Sequence, residues 1–252
     1  MKSALVTGAS RRSGIAAAVA RALATDGWRL TLTGWPPHDA REGWHSEPEE
    51  LAAELGAVWH EADLADPDTP ARIFDLAGAV SALVNVHAHS ESGGLLEATP
   101  DQLDRHFVVN ARGTALLCAE FARRFSGERA GGRIVSFTSG PPLAGELAYA
   151  ASKGAIEWIT LSAAAELAPR GITVNAIDPG PTDTGWMSPA LRERIESEMP
   201  LGRLGRPEDS AALVAFLCSP EGGWITGQVI HCDGGWSSAR TLRFGREPQS
   251  GR

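Results

Sequence analysis

Seven short apolar runs alternate with seven segments of helical periodicity, and this alternation constrains the fold more than any other feature. The runs lie at 4–6, 29–33, 57–60, 82–85, 133–138, 173–177 and 229–232. The helical segments lie at 14–25, 48–55, 69–79, 101–125, 149–167, 189–198 and 207–218. Runs such as SALVT and ALVN are apolar without a break, as in strands covered on both faces. Strands separated by helices connect in parallel. The expectation is therefore an α/β fold: a doubly wound parallel sheet of about seven strands flanked by helices. Neither a repeat nor a linker interrupts the pattern, so residues 1–237 read as one domain. Residues 34–47, which include Pro36 and Pro37, form the most irregular stretch, and 238–252 reads as an exposed, fraying tail.

The first strand runs directly into TGASRRSGIAAAVARAL. Ile15, Val19, Ala22 and Leu23 share one helical face. A glycine-bearing turn between a strand and a helix suits a pyrophosphate, because the helix N-terminus offers unpaired N–H groups and the positive end of its dipole. Gly8 makes the turn, Gly14 permits close approach, and Ala16 lets helix pack on strand. Here the chain resembles the short-chain dehydrogenase/reductase family, whose turn reads T-G-x-x-x-G-x-G. Arg12 stands at the usual second glycine, and the best fit is a loop two residues longer, with Gly14-Ile15-Ala16 in place of Gly-Ile-Gly. The resemblance covers about residues 3–236 and implies a Rossmann-type NAD(P)-binding domain with a built-in substrate lid at about 185–201.

The resemblance assigns further positions. Gly8, Ser10, Arg11, Arg12, Gly14 and Ile15 belong to the cofactor turn. Asp63-Leu64 matches the adenine-contacting pair. Asn85 matches the first residue of the family's Asn-Asn-Ala-Gly motif, which continues here as Val86-His87-Ala88. Pro179, Gly180, Thr182 and Thr184 match the turn that holds the nicotinamide amide. The second strand ends at Thr33-Gly34-Trp35, with no carboxylate to repel a 2′-phosphate. Arg11, Arg12, His38 and Arg41 lie near it in sequence. NADP(H) is thus favoured as cofactor, with NAD(H) the alternative. His87 and His89 are candidates for the substrate side, and an isolated His-x-His pair reads as structural rather than as a metal site.

Tyr149 is the only tyrosine, and Lys153 one of only two lysines. Four residues apart, they share a helix face. A free phenol titrates near 10, and a neighbouring ammonium lowers that value, which makes the pair a tunable proton donor and acceptor. The same resemblance gives Ser139, at the end of the fifth strand, the role of holding the substrate oxygen, with Ser136 and Thr138 as alternatives. It gives Asn110 the support of a water in the proton relay. Together these imply an oxidoreductase acting on a small-molecule carbonyl or alcohol, or on a carrier-bound acyl group that Arg129 and Arg170 would help to dock. A homo-oligomer, most often a tetramer, is the family expectation. The competing reading is a redox-inactive nucleotide-binding sensor or scaffold.

Composition removes other classes. The net charge is −8 without a basic run, which argues against a nucleic-acid partner. Three cysteines in no C-x-x-C spacing fit neither a disulfide framework nor a zinc site and suit a reducing cytoplasm. No run approaches the roughly 18 apolar residues of a membrane span, and the N-terminus lacks the apolar segment of a secretory signal.

Overall fold

The computed structural model describes residues 2–127, 131–140 and 144–243. The strands are β1 (Ser3–Thr7), β2 (Arg29–Gly34), β3 (Val58–Glu61), β4 (Ala82–Asn85), β5 (Gly132–Phe137), β6 (Ile172–Asp178) and β7 (Val229–His231). They form one parallel sheet in the order β3-β2-β1-β4-β5-β6-β7. The winding reverses between β1 and β4, which opens a crevice at their carboxyl ends. β1, β4, β5 and β6 are buried along their whole length, which is why their sequences carry no polar alternation.

Two apolar layers enclose the sheet. On one face, Ala16, Ala17, Val19, Ala20 and Leu23 of α1 (Ile15–Thr25) share a core with Val214 and Leu217 of α9 (Pro207–Cys218). On the other, Phe74 of α4 (Thr69–Ala77) meets Phe121 of α6 (Thr114–Arg124) edge-on, in a core that includes Ala164 of α7 (Leu147–Leu167). The remaining helices are α2 (Pro36–Arg41), α3 (Pro48–Leu55), α5 (Pro100–His106), α8 (Pro189–Glu198) and α10 (Trp236–Arg243). Among the described residues, no helix is long and apolar enough to cross a membrane.

Three features correct the sequence reading. The helix expected over 101–125 is divided: α5 leads into a π-helical segment, Phe107–Gly113, before α6 begins. The irregular stretch after β2 contains α2, because proline at the first turn of a helix sacrifices no hydrogen bond. The assigned tail is helical through residue 243. Asp233 starts that helix by accepting from the N–H groups of Gly235 (2.9 Å) and Ser237 (2.8 Å), and Trp236 packs on Ile195, Met199 and Leu204 beside α8. Residues 244–252 and Arg129 lie outside the described residues.

Candidate active site

Tyr149 lies in the first turn of α7, and Ser139 two residues past the end of β5. Ser139 acts on the Tyr149 phenol and favours its ionised form. Burial, and then the charges of Glu146 and Asp178, push the phenol up to about 12 against the easing effect of Ser139. Lys153 follows one turn later, its Nζ 6.0 Å from the tyrosine ring centre. That ammonium donates to the Phe137 carbonyl at 2.9 Å, and burial pushes it down to about 8. The expected depression of the tyrosine by the lysine is therefore absent: burial dominates the phenol, and the ammonium is bound to a backbone oxygen. The alternatives to Ser139 are engaged elsewhere. Ser136 Oγ accepts from Asn85 (3.1 Å), and Thr138 Oγ1 donates to the Lys153 carbonyl (2.9 Å).

Asn110 sits in the π segment and is fully buried. Its Oδ1 accepts from the His89 N–H (2.7 Å), while its Nδ2 donates to the His89 carbonyl (2.9 Å) and to Ser152 Oγ (2.9 Å). Ser152 donates in turn to the Tyr149 carbonyl at 2.8 Å. Both amide hydrogens thus have protein partners, so this side chain ties the loop after β4 to the turn carrying Tyr149.

The nucleotide turn has the required construction. Gly8 has φ +77°, and a Cβ there would lie 2.8 Å from backbone atoms of His87. Gly14 caps α1 without any side-chain cap, so the first-turn N–H groups are available to an anion. A cavity of about 600 Å³ lies alongside, lined by Arg11, Ser13, Trp44 and Thr184 among others. Arg11 stacks on Trp44 (4.2 Å) and donates to the Thr184 carbonyl (3.3 Å), linking the glycine turn to the loop after β6. Ile15 opens α1. Ser10 is buried with its Oγ where a side chain on Gly34 would fall, so the glycine ending β2 permits that packing. These residues fit a dinucleotide phosphate.

Other expected contacts fall differently. Arg12 lines the mouth of that cavity, but its guanidinium binds Glu54 at 2.7 Å. Asp63 closes its own loop by accepting from Ala65 N, and Leu64 is in the core. Asn85 ends β4 with its Oδ1 buried and unpaired. Pro179-Gly180 forms the turn after β6, and Thr182 Oγ1 donates back to the Pro179 carbonyl at 3.1 Å. His87 is buried between Thr7 (2.7 Å) and Thr114 (3.3 Å), and burial pushes it down to about 3. His89 meets His106 edge-on and His38 at a tilt. Neither histidine lines the cavity that Ser139 borders.

Sequence reasoning missed Asp39, buried 3.8 Å from Arg11 and accepting from Ser46 (2.8 Å). It also missed Asp178 and His231, which pair at 2.8 Å beside Ser139 and Gly140.

A parallel sheet with a phosphate-fitted turn at its crevice, and a Ser-Tyr-Lys set at the same edge, defines a nucleotide-dependent α/β oxidoreductase. The family model described as enoyl-(acyl carrier protein) reductase matches residues 8–237. An uncharacterised oxidoreductase of Bacillus subtilis (strain 168) is 44% identical over 93% of this chain and 96% of its own. A cyclic-di-GMP-binding biofilm dispersal mediator protein of Escherichia coli (strain K12) is 35% identical over 94% of this chain and 98% of its own. The solved structure of a short-chain dehydrogenase from Burkholderia cenocepacia J2315 in complex with NADP is 36% identical, with a TM-score of 0.81 over 92% of this chain and 96% of that one. The chain belongs to the short-chain dehydrogenase/reductase family.

Proposed function

We propose that this protein is an NADP(H)-dependent oxidoreductase that interconverts a ketone and a secondary alcohol. The observation that carries this reading is Tyr149 one helical turn from Lys153, whose ammonium lies 6.0 Å from its ring centre, with Ser139 two residues past the end of β5 at the sheet edge where the glycine turn opens. When bound, the dinucleotide supplies or takes the hydride. Tyr149, protonated at neutral pH, donates its proton to the oxygen of the substrate, and takes it back in the reverse direction. Ser139 hydrogen-bonds the same oxygen and stabilises the charge that develops there. Lys153 lies within reach of the tyrosine ring and orients the nicotinamide ribose. Asn110 fixes the Tyr149 turn through Ser152 and His89. Arg11, at the glycine turn, faces the phosphate side, and the NADP complex of the Burkholderia relative supports the 2′-phosphorylated cofactor. Residues 185–201, including α8, cover the substrate.

The substrate is a small carbonyl compound, with a carrier-bound acyl group the second candidate on the strength of the family model's description. The exposed Trp158 and Leu161 of α7 support a homo-oligomer, with a tetramer as the expected state. The composition supports a cytoplasmic setting.

The test is a tryptophan-fluorescence titration with NADPH and NADH, followed by a carbonyl panel read at the nicotinamide absorbance. Tighter binding of NADPH with turnover of a ketone supports the proposal. Failure to bind either nucleotide would sink it. Binding with no turnover across the panel favours a second reading, a nucleotide-binding sensor. That reading draws support from the name of the Escherichia coli relative and from His87, which stands buried where the family carries a small residue.

A further inference from the structure

Beside Ser139 lies a pair of side chains that the mechanism does not use. β5, β6 and β7 are neighbours, so their carboxyl ends share the catalytic edge. Asp178 ends β6 and His231 ends β7, and the two are register partners. Asp178 is buried, with Oδ1 accepting from the Gly180 N–H at 3.0 Å and Oδ2 lying 2.8 Å from His231 Nδ1. Ser237 Oγ approaches the same Oδ2 at 3.4 Å. A Cβ on Gly140 would fall 2.5 Å from Oδ2. The glycine after Ser139 is therefore what lets this carboxylate lie against the segment bearing the catalytic serine.

A carboxylate only accepts hydrogen bonds. Asp178 consequently fixes the ring proton on Nδ1 and leaves a lone pair on Nε2. That Nε2 has no partner among the described residues, and the ring is half exposed. It borders a cavity of about 960 Å³ that Ser139 also lines. Leu95, Leu147 and Ala151 supply apolar wall. Of the two acidic residues on that wall, Glu97 accepts from the Gly94 N–H, and Glu157 lies 3.2 Å from Thr138 Oγ1, whose hydrogen the Lys153 carbonyl shares. The neighbouring Asp233 is held by two backbone N–H groups.

We propose that His231, positioned by Asp178, contacts the substrate and that its Nε2 accepts a hydrogen bond from a substrate hydroxyl, making the preferred substrate a hydroxyketone. This rests on the oxidoreductase reading above. Ser139 holds the reacting oxygen and His231 the second polar group, a two-point recognition across an apolar pocket. A site built to satisfy a hydroxyl rejects the analogue that lacks it.

The experiment uses the full chain with NADPH and three matched pairs: hydroxyacetone and acetone, 4-hydroxy-2-butanone and 2-butanone, 5-hydroxy-2-pentanone and 2-pentanone. The readout is the ratio of kcat/KM within each pair. The wild type is expected to favour the hydroxyketone by about tenfold in at least one pair, the upper range for one hydrogen bond. His231→Phe brings that ratio close to one. His231→Gln, whose amide oxygen falls near the place of Nε2, restores part of it. Asp178→Asn donates to Nδ1, moves the ring proton to Nε2 and also lowers the ratio, an effect that loss of packing alone does not produce. Circular dichroism checks that each variant is folded. A wild type without preference in every pair, or a ratio in His231→Phe within twofold of wild type, overturns the assignment of His231 alone. Turnover of no ketone by the wild type overturns the oxidoreductase reading and this assignment with it.

Discussion

Lys153→Met should make the cofactor-free protein more stable while reducing its turnover, and the gain in stability should vanish as pH rises. The reasoning starts from burial. Lys153 is among the least exposed polar residues, and its ammonium is pushed from 10.5 down to about 8. That drop corresponds to about 3 kcal/mol of destabilisation wherever both folded and unfolded states are protonated, which is below pH 8. Between about pH 8 and 10.5 the unfolded chain holds a proton that the folded protein has released. Wild-type stability therefore rises with pH across this window, by up to about 1.4 kcal/mol per pH unit, and the penalty is gone above it. Methionine has similar length and no charge, so its stability lacks this slope. It also loses the 2.9 Å bond to the Phe137 carbonyl, worth about 1 kcal/mol. The net gain at pH 7 is about 2 kcal/mol, or about 4–8 °C in Tm for a domain of this size. Urea unfolding of both proteins at pH 7, 8, 9 and 10, extrapolated to water, gives the comparison. A stability difference that stays constant over this range, or a variant less stable at pH 7, refutes the reasoning.

Tyr149→Phe should lower kcat by about a thousandfold or more, within the range for loss of a general acid, while the NADPH dissociation constant changes less than about threefold; full activity would end the proposed mechanism. Because Tyr149 is the only tyrosine, phenolate absorbance at about 295 nm reports on it alone, and in the folded, cofactor-free protein it should be absent at pH 10, where a free phenol is half ionised. Asn110→Ala leaves the His89 N–H and C=O and the Ser152 hydroxyl without their partner, which should cost about 2–4 kcal/mol in denaturant unfolding. Gly140→Ala forces a methyl group against Asp178 and should destabilise the protein by about 1–3 kcal/mol, whereas Gly154→Ala, which meets nothing within 4 Å, should not.

What was legible in the sequence follows from the range of the interactions involved. The strands showed themselves because burial on both faces demands unbroken apolar runs, and Tyr149 and Lys153 because helical geometry joins positions four apart. The π-helical segment was hidden, and Asn110 within it binds His89, 21 residues away. Helix α2 was hidden by its two prolines, which read as breakers until they are seen at the helix start. Arg12 looked like a phosphate ligand because nothing local announces Glu54, 42 residues on. Asp178 and His231, 53 residues apart, meet only because β6 and β7 are adjacent in the sheet.

His87 has a consequence for how this chain can change over time. Its ring bridges the end of β1 and the start of α6 through Thr7 and Thr114, and its backbone passes close to Gly8. Replacing the histidine by a small residue would open a void beside the Thr7 and Thr114 hydroxyls, and enlarging Gly8 would displace the loop that carries the ring. Each single step should cost stability before its partner arrives. Gly8, Thr7, His87 and Thr114 should therefore be inherited as a block, and a survey of descendants of this sequence should find them retained or exchanged together.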